Sequence, residues 1–208
     1  MEKKDFIVKY FIEFGESTSK IECENAKEYY VQFWENELLR IEENYKDNVI
    51  VSISYYLDAG EQMTAFLNLK DVKIITVYKN PVYRFHYKQY DVETYIDCEL
   101  KNKRLQVLTK NYLCVYDKSF DILNGKVNYF EKSCYIEEFN FTYEFQYDEK
   151  GSFKRLTIYD PENIIDTDEH EIYPETIGVG KNDYNFEWKD FEYFQSKEPI
   201  LPEKMYCW

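Results

Sequence analysis

From Glu138 to Asp148 the chain alternates without a break, with Phe139, Phe141, Tyr143, Phe145 and Tyr147 at odd positions and Glu138, Asn140, Thr142, Glu144, Gln146 and Asp148 at even ones. Successive side chains of a strand point to opposite faces, so this period of two predicts a strand with one aromatic and one solvated face. Asp148-Glu149-Lys150-Gly151 supplies a turn with a glycine that tolerates positive φ, and Phe153 to Tyr159 returns as a second strand. A chain organised around such a hairpin folds as a sheet. Composition agrees: 22 Tyr and 15 Phe stand against 6 Gly and 5 Pro, a balance that suits half-buried pleated surfaces and excludes a disordered chain.

The rest of the chain adds strands and one helix. Asp5 to Phe14 alternates, Gly15 to Ser19 reads as a turn, and Lys20 to Cys23 as a short return strand. Asn25 with Glu28 three positions on suggests a capping box. Ala26, Tyr29, Tyr30, Phe33, Leu38, Ile41 and Tyr45 then recur at helical spacing, which predicts a long helix over about 25–44. Val49 to Leu57, Thr64 to Leu69 and Val72 to Tyr78 are expected strands, closed by Asn80-Pro81 because proline cannot donate to a central ladder.

Val82 to Ile96 switches apolar parity at Gln89-Tyr90, which one extra residue or a tight turn explains. Arg104 to Leu108, Tyr112 to Tyr116, Phe120 to Leu123 and Val127 to Phe130 follow as short strands, with Asn124-Gly125 as a hairpin signal. The expected class is α+β, mainly β: an antiparallel sheet or barrel-like meander in a single domain spanning 1–208, carrying an acidic loop and tail at 160–208.

The formal charge of −14 is unevenly spread. Residues 1–48 carry 7 basic and 12 acidic side chains, residues 49–159 carry 15 of each, and residues 160–208 carry 4 and 13. Phosphates would be repelled by such a chain, which argues against direct nucleic-acid binding and against an anionic membrane. Five cysteines, Cys23, Cys98, Cys114, Cys134 and Cys207, form neither an even set nor a CxxC pair, so buried reduced thiols are expected. With no apolar leader after Met1 and no run near the ~20 apolar residues of a membrane span, the expected location is the cytoplasm. Codon-biased abundance of Lys, Ile, Asn, Glu and Tyr suits a bacterial or phage source.

Signatures of catalysis are thin: the chain contains no GxSxG, P-loop or GxGxxG and only two histidines. Asp166-x-Asp168-x-His170 with Glu169 and Glu171 resembles a cation ligand set, but it lacks the glycine and terminal Glu of an EF-hand loop, and a solvated acidic loop explains it as well. No metal, cofactor or catalytic residue is therefore assigned. His86, between Arg84 and Lys88, would need an orienting carboxylate such as Asp91 or Glu93 to act as a base. The aromatic strand face could stack sugars or bases, yet such platforms come with a basic groove.

The feature that points outward is the acidic, aromatic end of the chain. Asp166, Asp168, Glu169, Glu171 and Glu175, then Asp183, Tyr184, Glu187, Trp188, Asp190 and Glu192, form the expected partner-binding surface. Carboxylates complement a basic partner and speed encounter, while aromatic rings supply contact area at little entropic cost. The expected function is an acidic, β-rich protein-binding inhibitor of a basic protein such as a nuclease, in the manner of immunity proteins or of phage anti-CRISPR and counter-defence proteins. The alternatives are a small-substrate enzyme using carboxylates and His86, and a scaffold subunit that forms a homodimer through an edge strand.

Overall fold

The computed structural model describes residues 6–12, 17–61, 72–84, 87–110, 112–136, 141–159, 170–189 and 191–196. The protein is mainly β. Strand β1 (Ile7–Ile12) lies between β2 (Ser17–Thr18) and β3 (Glu28–Glu35). After β3 come β4 (Leu38–Lys46), β5 (Val49–Tyr56), β6 (Ile74–Arg84), β7 (Tyr87–Ile96), β8 (Glu99–Thr109) and β9 (Cys114–Phe120). The order ends with β10 (Val127–Ile136), β11 (Phe141–Tyr147), β12 (Phe153–Tyr159) and β13 (His170–Ile172). From β3 onward each strand is hydrogen-bonded to the next in sequence, and the order is linear. By its contacts the chain divides into two compact units, Met1–Pro81 with Tyr90–Lys103, and Val82–Gln89 with Arg104–Trp208.

The long helix expected over 25–44 is a β-hairpin instead, β3 paired with β4 from Glu28↔Lys46 to Glu35↔Leu38. Two things disguised its period. Both faces carry aromatics, since Phe11 stacks on Tyr30 at 4.8 Å on one side while Tyr29 stacks on Tyr45 at 4.7 Å on the other. A bulge also lies between Phe33↔Ile41 and Trp34↔Leu39, leaving Arg40 without a cross-strand partner and flipping the parity of the residues on either side. The turn is Asn36-Glu37, both at positive φ (50° and 64°), and Asp47-Asn48 and Asp97-Cys98 repeat that geometry. Two successive positive φ values give the mirror-image turn whose twist matches that of the flanking strands.

Other expectations shift by smaller amounts. Lys20 to Cys23, expected as a strand, belongs to the helix α1 (Lys20–Asn25), and the capping box forms at Ser19 and Glu22 rather than at Asn25 and Glu28. Asn80-Pro81 does not end a strand: β6 runs through it to Arg84, with Asn80 at φ 54° breaking the extended path just where proline removes a donor. Ile122 to Asn124 form a turn rather than the end of a strand. Pairing is not wholly antiparallel, because β5 and β6 run parallel from Ser52↔Ile74 to Tyr56↔Tyr78. Parallel neighbours need a crossover connection rather than a tight hairpin; the strand expected at Thr64 to Leu69 lies outside the described residues.

In the first unit, Ile53, Tyr55, Leu57, Ile75 and Val77 form one buried cluster and Cys23, Tyr29 and Val31 another. Arg40, only 8% exposed, meets Asp58 at 2.8 Å, Glu61 at 2.6 Å and Glu35 at 3.5 Å. In the second unit the core is largely aromatic, with Tyr116, Phe130, Tyr143, Phe145 and Tyr147 on one sheet face. Strands β11 and β12 and the turn between them match the sequence expectation, with Gly151 at φ 84° and the Asp148 carboxylate accepting from Lys150 and Ser152 backbone N–H groups at 2.9 and 2.8 Å.

Candidate functional site

Cross-strand pairing puts Phe130 opposite Tyr147, Lys132 opposite Phe145 and Cys134 opposite Tyr143, so all six share the aromatic face of the second unit. The segment from Ile177 to Ser196 covers this face. Phe194 stacks on Phe145 at 4.2 Å, Trp188 meets Phe153 edge-on at 4.9 Å, and Phe186 contacts Tyr143 at 5.9 Å. Phe186 and Phe194 are each 4% exposed. Burying rings of this size stabilises by roughly 2–3 kcal/mol each, enough to hold a segment that has no regular secondary structure over most of its length.

Two side chains from the sheet reach up and hold the cover by its backbone. The Tyr147 hydroxyl donates to the Phe194 carbonyl oxygen, and Lys132 Nζ donates to the carbonyl oxygens of Ser196 and, at 3.4 Å, Tyr193. Lys132 is fully buried, its ammonium 4.1 Å from the centre of the Tyr193 ring. An ammonium removed from water is tolerable only with such partners, carbonyl dipoles on one side and a π face on the other. Asn182 fixes the other end of the cover: its side chain donates to Thr176 O at 2.9 Å and Phe186 O at 3.1 Å and accepts from Phe186 N at 2.8 Å.

The acidic residues expected to bind a partner fall on both sides of this unit. Glu175, Asp183, Glu187 and Glu192 are exposed, the last three on the cover, whereas Tyr184 and Trp188 are half-buried and turn ring area inward. Asp166, Asp168, Glu169 and Asp190 lie outside the described residues, as does His86. The stretch expected as one long surface loop includes β13, and its Ile172 is buried. Among the described residues no group of three or more His, Cys, Asp or Glu is placed to hold a metal ion.

Glu171 sits on the opposite, polar face. There two groups of polar contacts, one between β8 and β9 and one from β10 to β13, lie in line, an arrangement not anticipated from sequence. Arg104 and Gln106 donate to Asp117 Oδ2 at 3.0 and 2.9 Å; Gln146 donates to Glu131 at 3.4 Å and accepts from Arg155 at 2.6 Å; Arg155 pairs with Glu171, which Tyr173 also reaches. Register explains it, since Asp117, Glu131, Gln146 and Arg155 are successive cross-strand partners. Alternation in each strand could have revealed the polar face, but only the register assembles it. Burial pushes the Glu131 carboxyl above the usual carboxylate range, reinforced by the charges of Glu144 and Asp117 and opposed by hydrogen bonds from Tyr129 and Gln146.

Cys23 and Cys134 are buried as expected, but Cys98 and Cys114 reach the surface. Cys98 does so because it occupies a two-residue hairpin turn. The Cys114 thiol donates to Tyr116 O at 3.3 Å, and desolvation of the sulfur, then the Asp117 charge, push its pKa up to about 12. No helix of the described residues is long and apolar enough to cross a membrane. No family model, curated protein or solved structure matches the chain.

Proposed function

We propose that the protein binds a basic protein partner through the acidic outer side of the second unit's cover and blocks it. One observation carries this: the rings of the cover are drawn inward onto the sheet while Asp183, Glu187 and Glu192 remain exposed on a backbone that the core holds in place. Between residues 170 and 196 the chain has six acidic residues against two lysines. A fixed array of carboxylates steers a cationic surface into place at little cost in chain entropy. A protein whose cationic cleft normally takes nucleic acid is the natural target, since exposed carboxylates compete with phosphates for such a cleft. The inhibitor acts in the cytoplasm, in the manner of an immunity or counter-defence protein.

With Tyr184 and Trp188 half-buried, the contact is more electrostatic than the sequence suggested, and its affinity should fall steeply with salt. A pull-down at low and high salt compares wild type with a variant carrying Asp183→Asn, Glu187→Gln, Asp190→Asn and Glu192→Gln. Retention of a basic nucleic-acid-processing protein by wild type alone, shed by salt and losing its activity on binding, is the expected result; identical retention by both proteins sinks the proposal. Glu131 favours a second possibility, proton transfer by a carboxyl whose pKa burial raises, next to Asp117 and Glu144. Turnover of a small substrate that disappears in Glu131→Gln would favour that alternative.

A further inference from the structure

The first unit contains a cavity of about 520 Å³ that the acidic cover has no part in. Register builds it: Ile12, Tyr29 and Tyr45 are cross-strand partners in one row, Tyr10, Val31 and Glu43 in the next, and Val8, Phe33 and Ile41 in a third. Val31 is therefore at the centre of this three-stranded face, with Tyr10 on one side of it, Glu43 on the other, and Tyr29 and Phe33 in the rows above and below. The helix α1 closes one end with Lys20 and Glu24. Asn48 anchors that end, accepting from the Tyr29 hydroxyl at 3.1 Å and donating to the Glu24 carbonyl oxygen at 3.2 Å.

The charges in the cavity favour one sign of ligand. Glu43 accepts from the Tyr45 hydroxyl through Oε2 at 2.7 Å, and among the described residues its Oε1 receives no hydrogen bond. Glu24 adds a second carboxylate, and Lys20, 3.5 Å from it, is the one cation among the described lining residues. Burial raises the pKa values of Tyr29 and Tyr45, so both phenols stay neutral and add no phenolate charge to the cavity. Aromatic rings beside the Glu43 and Glu24 carboxylates suit a cation that carries apolar surface, and they repel an anion.

We propose that this cavity binds an organic cation, an alkylammonium or guanidinium group, between its tyrosine rings and the Glu43 carboxylate. Lys20 is the built-in competitor, drawing on Glu24 at the rim. The ligand is either a free small molecule or the side chain of an arginine in another protein, and the site does not depend on what the second unit binds.

Titrating the full chain with N-butylguanidinium and with N-butylurea, the same outline without the charge, tests the proposal by calorimetry and NMR. Butylguanidinium should bind and shift the resonances of Tyr10, Tyr29 and Tyr45, with butylurea about ten-fold weaker. Glu43→Gln should weaken butylguanidinium by about ten-fold. Lys20→Gln should tighten it by about two- to three-fold, because the competing cation is gone. Opposite signs in two variants cannot come from a general loss of fold. Equal affinity for the charged and uncharged probes, no binding of either, or unchanged affinity in Glu43→Gln overturns the proposal. A glycine-flanked arginine peptide identifies the source: binding as tight as butylguanidinium supports a protein side chain, and exclusion of the peptide while the free cation binds supports a small molecule.

Discussion

Both units take a cation out of water, and they do it by opposite means. Arg40 in the first unit is surrounded by carboxylates, and those on Asp58 and Glu61 keep 49% and 37% of their side-chain surface. Lys132 in the second is fully buried, and backbone carbonyls of the cover accept from it. Carboxylates that remain partly wet can take water back if the arginine is lost. Carbonyls of a segment that depends on the ammonium cannot do so without moving. The first arrangement neutralises charge locally, whereas the second uses charge to hold a piece of chain in place.

The sharpest way to break this contrast is Lys132→Ala, expected to destabilise by about 3–4 kcal/mol through a cavity and two carbonyls stripped of a donor. Denaturant unfolding measures it. Lys132→Met keeps the volume and should cost less than half as much, yet hydrogen exchange should still rise around residues 191–196 if the ammonium truly holds the cover. Arg40→Met comes next, at about 1–2 kcal/mol, with exchange changing only around the Asp58–Glu61 turn. A loss equal to that of Lys132→Ala would erase the distinction. Ser19→Ala removes the capping box of α1 and should cost about 1 kcal/mol in the first unit alone.

The smallest effect depends on pH and again differs between units. The Glu131 carboxyl is raised, so the folded protein holds that proton more tightly than the unfolded chain; its contribution to stability is present below the unfolded pKa and lost as pH rises through the folded value. Glu93 in the first unit is the reverse: burial would raise it, but Lys79 at 2.7 Å, the Tyr95 hydroxyl at 2.8 Å and the Lys103 charge outweigh burial and lower it. Its contribution is present above the unfolded pKa and lost as pH falls through the folded one. Melting temperature against pH should therefore flatten on its neutral side in Glu131→Gln and on its acid side in Glu93→Gln. Identical profiles in both variants contradict the assignment.

What could be foreseen followed the faces of single strands. The hairpin of β11 and β12 was legible because Tyr143, Phe145 and Tyr147 are inward and Glu144 and Gln146 are not. The hairpin of β3 and β4 was not, because aromatics on both faces and a bulge at Arg40 produced a helical spacing by coincidence. In the candidate site, the exposed carboxylates Asp183, Glu187 and Glu192 were legible from charge, but the direction of the rings between them depends on tertiary packing. Lys132 left one signal: it falls at the inward parity between Phe130 and Cys134, where an apolar residue belongs. The cavity around Glu43 required register across three strands, which no single stretch encodes.

The linear strand order bears on how the protein can be made. During synthesis each strand from β4 onward has its neighbour already available when it emerges, so the sheet can grow by addition, one local hairpin after another, with little loop-closure entropy at each step. The parallel step from β5 to β6 is the exception. There β6 must wait until the whole of residues 57–73 has been synthesised, while β5 stands with a row of unsatisfied backbone groups. Translation past that point is the interval in which the nascent chain is most exposed to wrong partners, and a pause placed there would protect it or harm it more than one placed anywhere later.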